Sequence, residues 1–187
     1  MKINRKYKIW EATNKDEFRP VMEYILFQNG HAYATNAHIL VKIPLDCLFE
    51  VEPYEPEDQL KMLEGCCINA RLFKRLCSYG CLWVEEMNGR PHIKVIFMEN
   101  PIYIPLKSKD DMRFPNFEAV LNYSGPSEPI DALGISPELL IRLTKAMGVS
   151  EKIKMTFTKK NSQIFVEPLE EFYRNTMKGL IMPIHVD

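Results

Sequence analysis

Two stretches far apart in this chain carry the same short pattern. Ile68-Asn69-Ala70-Arg71-Leu72-Phe73-Lys74-Arg75-Leu76 lies over Ile135-Ser136-Pro137-Glu138-Leu139-Leu140-Ile141-Arg142-Leu143, matching a cap, the apolar positions and one arginine, Arg75 with Arg142. Each reads as an amphipathic helix. In the first, Asn69 is the N-cap, Leu72, Phe73 and Leu76 fall on one face, and Gly80 stands where a C-terminal cap belongs. In the second, Ser136 caps, Pro137 takes the first helical position and Glu138 complements the positive end of the dipole. Leu139, Leu140, Leu143, Ala146 and Met147 form its apolar stripe, and Gly148 ends it. Strands are expected after both helices, at 81–87, 92–98 and 102–106, and at 152–158, 163–167 and about 178–185. The two runs also close alike, on Ile104-Pro105-Leu106 and on Met182-Pro183-Ile184. A helix-then-strands module used twice needs a sheet to bury both apolar stripes, so the expected class is α+β.

Ahead of the first module the chain reads as strands. Residues 21–27 are rich in β-formers and run into Asn29-Gly30, a strong hairpin signal, with a return strand at 31–35. A third strand, 39–44, is closed by Pro44, which cannot donate to a ladder. Asn88-Gly89 joins the strands at 81–87 and 92–98. Residues 45–64 collect Glu50, Glu52, Pro53, Glu55, Pro56, Glu57 and Asp58 and read as an exposed connection.

Charge and composition remove several function classes. The 187 residues carry 24 Lys+Arg against 25 Asp+Glu, a net charge of −1, which argues against a polycation coating nucleic acid but leaves room for a local basic face. No run of about 18 apolar residues is present, so no membrane-spanning helix is expected. The basic start, Met1 to Lys8, has no apolar stretch behind it, so a cytoplasmic location with reduced thiols is expected for Cys47, Cys66, Cys67, Cys77 and Cys81. No phosphate-binding glycine loop, Gly-x-Ser-x-Gly or His-Glu-x-x-His occurs, which removes the readily recognised enzyme classes.

Three groups of residues remain as candidates for function. Four of the cysteines are close in sequence, but adjacent Cys66 and Cys67 in an extended segment point to opposite faces, and no Cys-x-x-Cys pair is present. Free thiols are expected rather than a metal site, and no cofactor. His38 sits in a tight connection, Ala34-Thr35-Asn36-Ala37-His38, with no orienting carboxylate or nucleophile nearby in sequence; a structural or binding role is expected. Arg71, Lys74 and Arg75 lie opposite the apolar face of the first helix, and Arg142 and Lys145 on the polar face of the second. These five would neutralise phosphates in a salt-dependent, sequence-blind way, or else form solvated helix faces.

In this order along the chain, four segments resemble the bacterial sliding clamp, the β subunit of the replicative DNA polymerase. Residues Phe18-Arg19-Pro20-Val21-Met22-Glu23-Tyr24-Ile25-Leu26-Phe27 resemble its Arg-Pro strand. Ala34-Thr35-Asn36-Ala37-His38-Ile39-Leu40 resembles its Ala-Thr-Asp-Gly-His-Arg-Leu turn, with Asn36, Ala37 and Ile39 as departures. Arg113-Phe114-Pro115-Asn116-Phe117-Glu118-Ala119-Val120-Leu121 resembles the Arg-Phe-Pro-Asp-Tyr segment that closes the middle domain, and Ile181-Met182-Pro183-Ile184 the Met-Pro-Met tail.

The resemblance implies a shortened, non-catalytic, clamp-like fold of antiparallel sheets with helices packed on one face, about one and a half clamp domains. Residues 1–122 would be the middle domain, 123–129 a linker, and 130–187 the second half of the last domain; the stretch from Trp10 to Pro20 is too short for the usual first helix. It also implies a cleft that takes a short hydrophobic motif from a DNA polymerase or another replication or repair protein. Its walls here would be Thr35, Ala37, His38, Ile39, Leu40, Pro115, Val120, Met182, Pro183 and Ile184. DNA is the other implied partner, through Arg71, Lys74, Arg75, Arg142 and Lys145. A membrane partner is not expected. A processivity-type clamp would require self-assembly, for which four chains of one and a half domains equal a six-domain ring. An interaction module that binds clamp-type motifs without encircling DNA is the alternative.

Overall fold

The computed structural model describes residues 1–51, 59–122, 128–130, 132–159, 161–170 and 176–184. Residues 52–58 of the acidic connection, most of the 123–129 linker and His185 therefore lie outside the described residues. In chain order the strands are β1 (Lys2–Ile3), β2 (Tyr24–Gln28), β3 (His31–Thr35), β4 (Ile39–Pro44), β5 (Phe49–Glu50), β6 (Cys66–Asn69), β7 (Leu82–Met87), β8 (Arg90–Phe97), β9 (Asn100–Pro105), β10 (Lys107–Ser108), β11 (Ile153–Thr156), β12 (Ile164–Pro168) and β13 (Lys178–Ile181). The α-helices are α1 (Leu45–Leu48), α2 (Ala70–Leu76), α3 (Phe117–Leu121) and α4 (Pro137–Ala146). None is long and apolar enough to cross a membrane.

Eight strands form one antiparallel sheet in the order β10-β6-β2-β3-β4-β13-β12-β11. The seam between its early and late halves is the β4–β13 ladder, with Ile39 opposite Ile181, Leu40 opposite Leu180, Val41 opposite Gly179 and Lys42 opposite Lys178. A second sheet, β7-β8-β9, follows α2 as β11-β12-β13 follows α4, so the repeated module is present in the fold. Both Asn-Gly turns have positive φ at each central residue, 52° and 69° at Asn29-Gly30 and 53° and 72° at Asn88-Gly89. That geometry matches the twist of the flanking strands.

Strand alternation divides the side chains between two faces. Ile25, Phe27, Ala34, Val41, Ile68, Val166 and Ile181 point inward and join Phe73 and Leu76 of α2 and Leu143 and Ala146 of α4 in the main core. Leu26, Tyr33, Leu40, Cys67 and Leu180 point outward, beneath Phe117 and Leu121 of α3. Helix α4 approaches the sheet closely over Gly179, where a Cβ would stand 2.7 Å from Met147 Sδ and 3.0 Å from Leu143 Cδ1. Both expected caps are made: Asn69 Oδ1 accepts from the Arg71 N–H at 3.0 Å and Ser136 Oγ from the Leu139 N–H at 3.4 Å.

Three differences from the sequence reading have local causes. The strand expected at 21–27 begins only at Tyr24, because Pro20 starts a 3-10 turn that runs to Glu23. The cysteine pair forms a full interior strand, β6, and its alternation sends Cys66 to the inner core and Cys67 to the outer one. Residues Phe117–Leu121 form a helix too short to show a period, capped by Asn116, whose Oδ1 accepts from the Ala119 N–H.

The N-terminal segment crosses the end of α4, where the Lys8 N–H donates to the Lys145 carbonyl at 3.2 Å. Gly148, at φ +65°, lies beneath it, and a Cβ there would meet the Lys6 carbonyl oxygen and Lys6 Cγ at 2.9 Å. Gly148→Ala is therefore expected to lower unfolding stability by about 1–3 kcal/mol, combining backbone strain with overpacking. Gly89→Ala shares the positive φ but has open space around it, and should lose less. Urea unfolding of both variants checks the order; equal losses would contradict the close approach.

Candidate functional site

The inner surface gathers basic groups from three segments. Helix α2 buries Ala70, Phe73 and Leu76 and exposes Arg71, Lys74 and Arg75. Leu72, which the sequence placed on the apolar side, is 39% exposed and lines a groove of about 790 Å3 beside β6. On α4, Lys145 is exposed and Arg142 half-buried. The Arg142 guanidinium donates from Nε to the Glu11 carbonyl at 2.9 Å and from Nη2 to the Thr13 carbonyl at 2.7 Å. Arg142 thus ties α4 to the 3-10 turn Ile9–Ala12, which packs between α2 and α4, with Trp10 6.5 Å from Phe73 between ring centroids. A groove of about 490 Å3 separates the two helices, lined by Trp10, Arg71, Lys74, Glu138 and Arg142, with Lys74 Nζ 5.9 Å from the Trp10 ring centre.

Two basic residues that sequence reasoning missed join this face. Exposed Arg5 donates from Nε to the Cys77 carbonyl at 3.1 Å, at the C-terminal end of α2, and exposed Lys8 is bonded through its backbone at the end of α4. Their signal was the basic N-terminus itself. Only the fold lays it across two helix ends more than seventy residues downstream.

The outer face is organised by α3. Phe117 stacks on Tyr33, with ring centroids 5.3 Å apart and planes within 7°. Glu118 Oε1 accepts hydrogen bonds from Lys42 Nζ at 2.6 Å and from the Tyr33 hydroxyl, and Asn122 Nδ2 donates to Oε2 at 3.1 Å. Burial works to raise the Glu118 carboxyl, but the bonds from Lys42 and Tyr33 outweigh it and hold the group below the usual glutamate range. Burial, reinforced by the Glu118 carboxylate, pushes the Tyr33 hydroxyl upward.

The ten residues that the resemblance assigns to a cleft do not all meet. Thr35, Ala37, His38, Met182, Pro183 and Ile184 lie together at one end of the sheet, where the Met182 N–H donates to the His38 carbonyl at 2.8 Å. The turn is held by Thr35 Oγ1, bonded to the Ile39 carbonyl at 2.7 Å, and by buried Asn36, whose Oδ1 accepts from the N–H groups of His38 and Ile39. These bonds keep Ala37 at φ 72°, a conformation that alanine rarely adopts. Val120 and Met182 are about two-fifths exposed and Ile184 half-exposed, whereas Leu40 and its ladder partner Leu180 are buried beneath Phe117 and Leu121 of α3. Ile39 lies apart: alternation sends it to the inner core, where it is 1% exposed. Pro115 also lies apart, in a cavity of about 380 Å3 with Leu26, Gln28 and Phe114. Leu180 and Leu121 were not singled out in sequence. The two-residue period back from Met182 points to Leu180, and Leu121 lines a cavity of about 390 Å3 with Phe165, Lys154, Lys178 and Gly179.

All five cysteines are free, and among the described residues no three His, Cys, Asp or Glu side chains are grouped to hold a metal ion. Burial pushes the Cys67 thiol up to about 11, which keeps it protonated and a poor ligand at neutral pH.

No protein-family model matches the sequence, and no curated protein matches it. Solved structures do. The DNA polymerase sliding clamp from Bacillus subtilis superposes on 98% of this chain with a TM-score of 0.57 at 10% identity. The DNA polymerase III β subunits of Thermotoga maritima and Pseudomonas aeruginosa superpose on 96% and 98% of it, with TM-scores of 0.57 and 0.53 at 13% and 14% identity. The chain spans 62%, 63% and 66% of these three proteins respectively. At such identities the likeness is one of fold: a clamp-like α+β architecture that matches part of a clamp's length.

Glu118 gives the outer face a pH signature. A carboxyl held below its unfolded value contributes stability above that value and loses it as pH falls through the folded one. Unfolding experiments should show wild type about 1–3 kcal/mol more stable than Glu118→Gln near pH 7, as for a charged hydrogen-bonded group losing its charge. The gap should close as pH falls below the usual glutamate range. A gap that persists unchanged into strong acid would contradict the role given to the Lys42 and Tyr33 bonds.

Proposed function

We propose that this chain is a non-catalytic, DNA-clamp-like protein that holds duplex DNA electrostatically on its inner face and docks replication or repair proteins on its outer face. The observation that carries the reading is the placement of two unlike surfaces on opposite sides of one continuous sheet with a sliding-clamp fold. Arg71, Lys74, Arg75 and Lys145 project from the inner helices, joined by Arg5 and Lys8, and all six are exposed. Phosphate neutralisation by such groups releases counterions and needs no base contact. Arg142 acts mainly as a brace on this face, since two carbonyls already occupy its guanidinium.

On the outer side, the reading takes buried Leu40 and Leu180 as an apolar floor, exposed Met182, Val120 and Ile184 as anchors for the peptide, and Thr35 and His38 as the turn to which the Met182 backbone is bonded. A flexible methionine at the rim adapts to different hydrophobic anchors, which suits a short peptide from a DNA polymerase or another clamp-binding protein. In this reading residues 1–122 act as the middle clamp domain and 130–187 as half of a further one, joined through β4 and β13. The second reading, a peptide-binding module without DNA affinity, is favoured by the net charge of −1 and by the engagement of Arg142.

Fluorescence anisotropy separates the two. Replacing Arg71, Lys74, Arg75 and Lys145 by alanine should flatten the dependence of log K on log salt, by roughly 0.9 for each phosphate contact removed. Met182→Ala should weaken a short peptide ending in Leu-Phe by about tenfold while leaving DNA affinity unchanged. Wild-type protein that binds peptide but no DNA at low salt would establish the second reading. Loss of neither activity in either variant would overturn the assignment of both faces.

A further inference from the structure

Phe18 is 95% exposed; among the described residues the next most exposed aromatic ring, that of Phe97, stands at 49%. A phenylalanine left so far in water gives up the free energy of burial. Nor is the ring carried on a slack loop. The Asp16 carboxylate accepts four hydrogen bonds. Oδ1 takes the Phe18 and Arg19 N–H groups at 3.0 and 2.9 Å, and Oδ2 takes Arg19 Nε and Nη2 at 2.9 and 2.8 Å. At the base of the loop the Asn14 N–H donates to the Met22 carbonyl at 3.1 Å and the Met22 N–H to the Arg19 carbonyl at 3.0 Å. Pro20 fixes the backbone where the 3-10 turn begins. The ring is therefore held outward.

Its place in the fold bears on what it meets. The loop runs through the turn Pro20–Glu23 into the start of β2, which is antiparallel to β3 with Leu26 opposite Tyr33. The start of β2 thus lies at the same end of the sheet as Thr35, the His38 turn and the Met182–Ile184 tail bonded to it. In the order β2-β3-β4-β13, three strand spacings separate the two sites, about 14 Å, which four to five residues of extended chain cover. Both cations of the loop are paired within it: Arg19 with Asp16, and Lys15 Nζ with Glu17 Oε1 at 4.0 Å. The loop itself leaves no unpaired positive charge beside the ring for a phosphate, so it suits an apolar protein side chain rather than DNA.

We propose that Phe18 is a second anchor point for the peptide that docks at Met182, receiving a hydrophobic side chain four to five residues away from the Leu-Phe pair. The inference rests on the proposed peptide cleft and adds a length and a second apolar position to the partner's motif. A ring already fixed in place loses little freedom on contact, which makes a single exposed aromatic an effective anchor. The partner segment is extended, apolar at two places and in no need of charge at the second.

Fluorescence anisotropy compares the short peptide ending in Leu-Phe with two lengthened forms, which carry a tryptophan about five residues before or about five residues after that pair. One lengthened form should bind wild type roughly fivefold more tightly than the short peptide. Phe18→Ser should abolish that gain while leaving the affinities for the short peptide and for duplex DNA unchanged. No gain from either lengthened form, or a gain that survives Phe18→Ser, would overturn the proposal with the cleft intact. Weaker duplex binding by Phe18→Ser would overturn it in favour of a DNA contact. If wild type binds none of the three peptides, the cleft itself fails and the second anchor with it.

Discussion

Everything else in this molecule depends on the four-residue ladder between β4 and β13. Residues 39–42 and 178–181 are separated by most of the chain, yet their pairing fuses an early five-strand block and a late three-strand module into one sheet. Without it α4 would lose the β13 part of its floor, because Gly179 supplies the surface on which Leu143 and Met147 rest. Nor would the apolar outer floor exist, since Leu40 and Leu180 meet only across this seam. The closing entropy of so long a loop is recovered through burial on both faces at once.

That double burial also explains how one short strand serves two surfaces. Alternation sends Ile39 and Val41 to the helix side and Leu40 and Lys42 to the α3 side. The inner helices turn their charged faces away from the sheet, so the basic groups stand in solvent with the core behind them. The outer helix is short and is fixed by Glu118, whose carboxylate is bonded to Tyr33 and Lys42 on neighbouring strands. Arg142 provides the matching brace on the inner side, spending its charge on backbone carbonyls of the N-terminal turn.

Much of the fold was legible in the residues. The two Asn-Gly turns, the Asn69 and Ser136 caps and the repeated helix-then-strands module all depend on local rules, and local rules are written in sequence. Hidden were features set by distant contacts. Strand β6 carries Cys66-Cys67, which have no marked β preference, and takes its place because β2 and β10 pair with it. The site was less legible than the fold. Period-two alternation separates Ile39 from its neighbour Leu40, a distinction that a residue-by-residue resemblance does not make. The tie that turns Arg142 from a free cation into a brace spans 131 and 129 residues, to Glu11 and Thr13. Arg5 and Lys8 looked like an ordinary basic terminus until the fold laid them beside α2 and α4.

In the proposed function, DNA and peptide use opposite faces of the same sheet. Amide hydrogen exchange, recorded on the free protein, with a duplex and with a clamp-type peptide, tests it most directly. Duplex should slow exchange in 5–13, 70–78 and 137–148, and peptide should slow it in 35–41, 117–122 and 178–184, with little overlap. Coincident protection by the two ligands, or duplex protection confined to the outer segments, would contradict it.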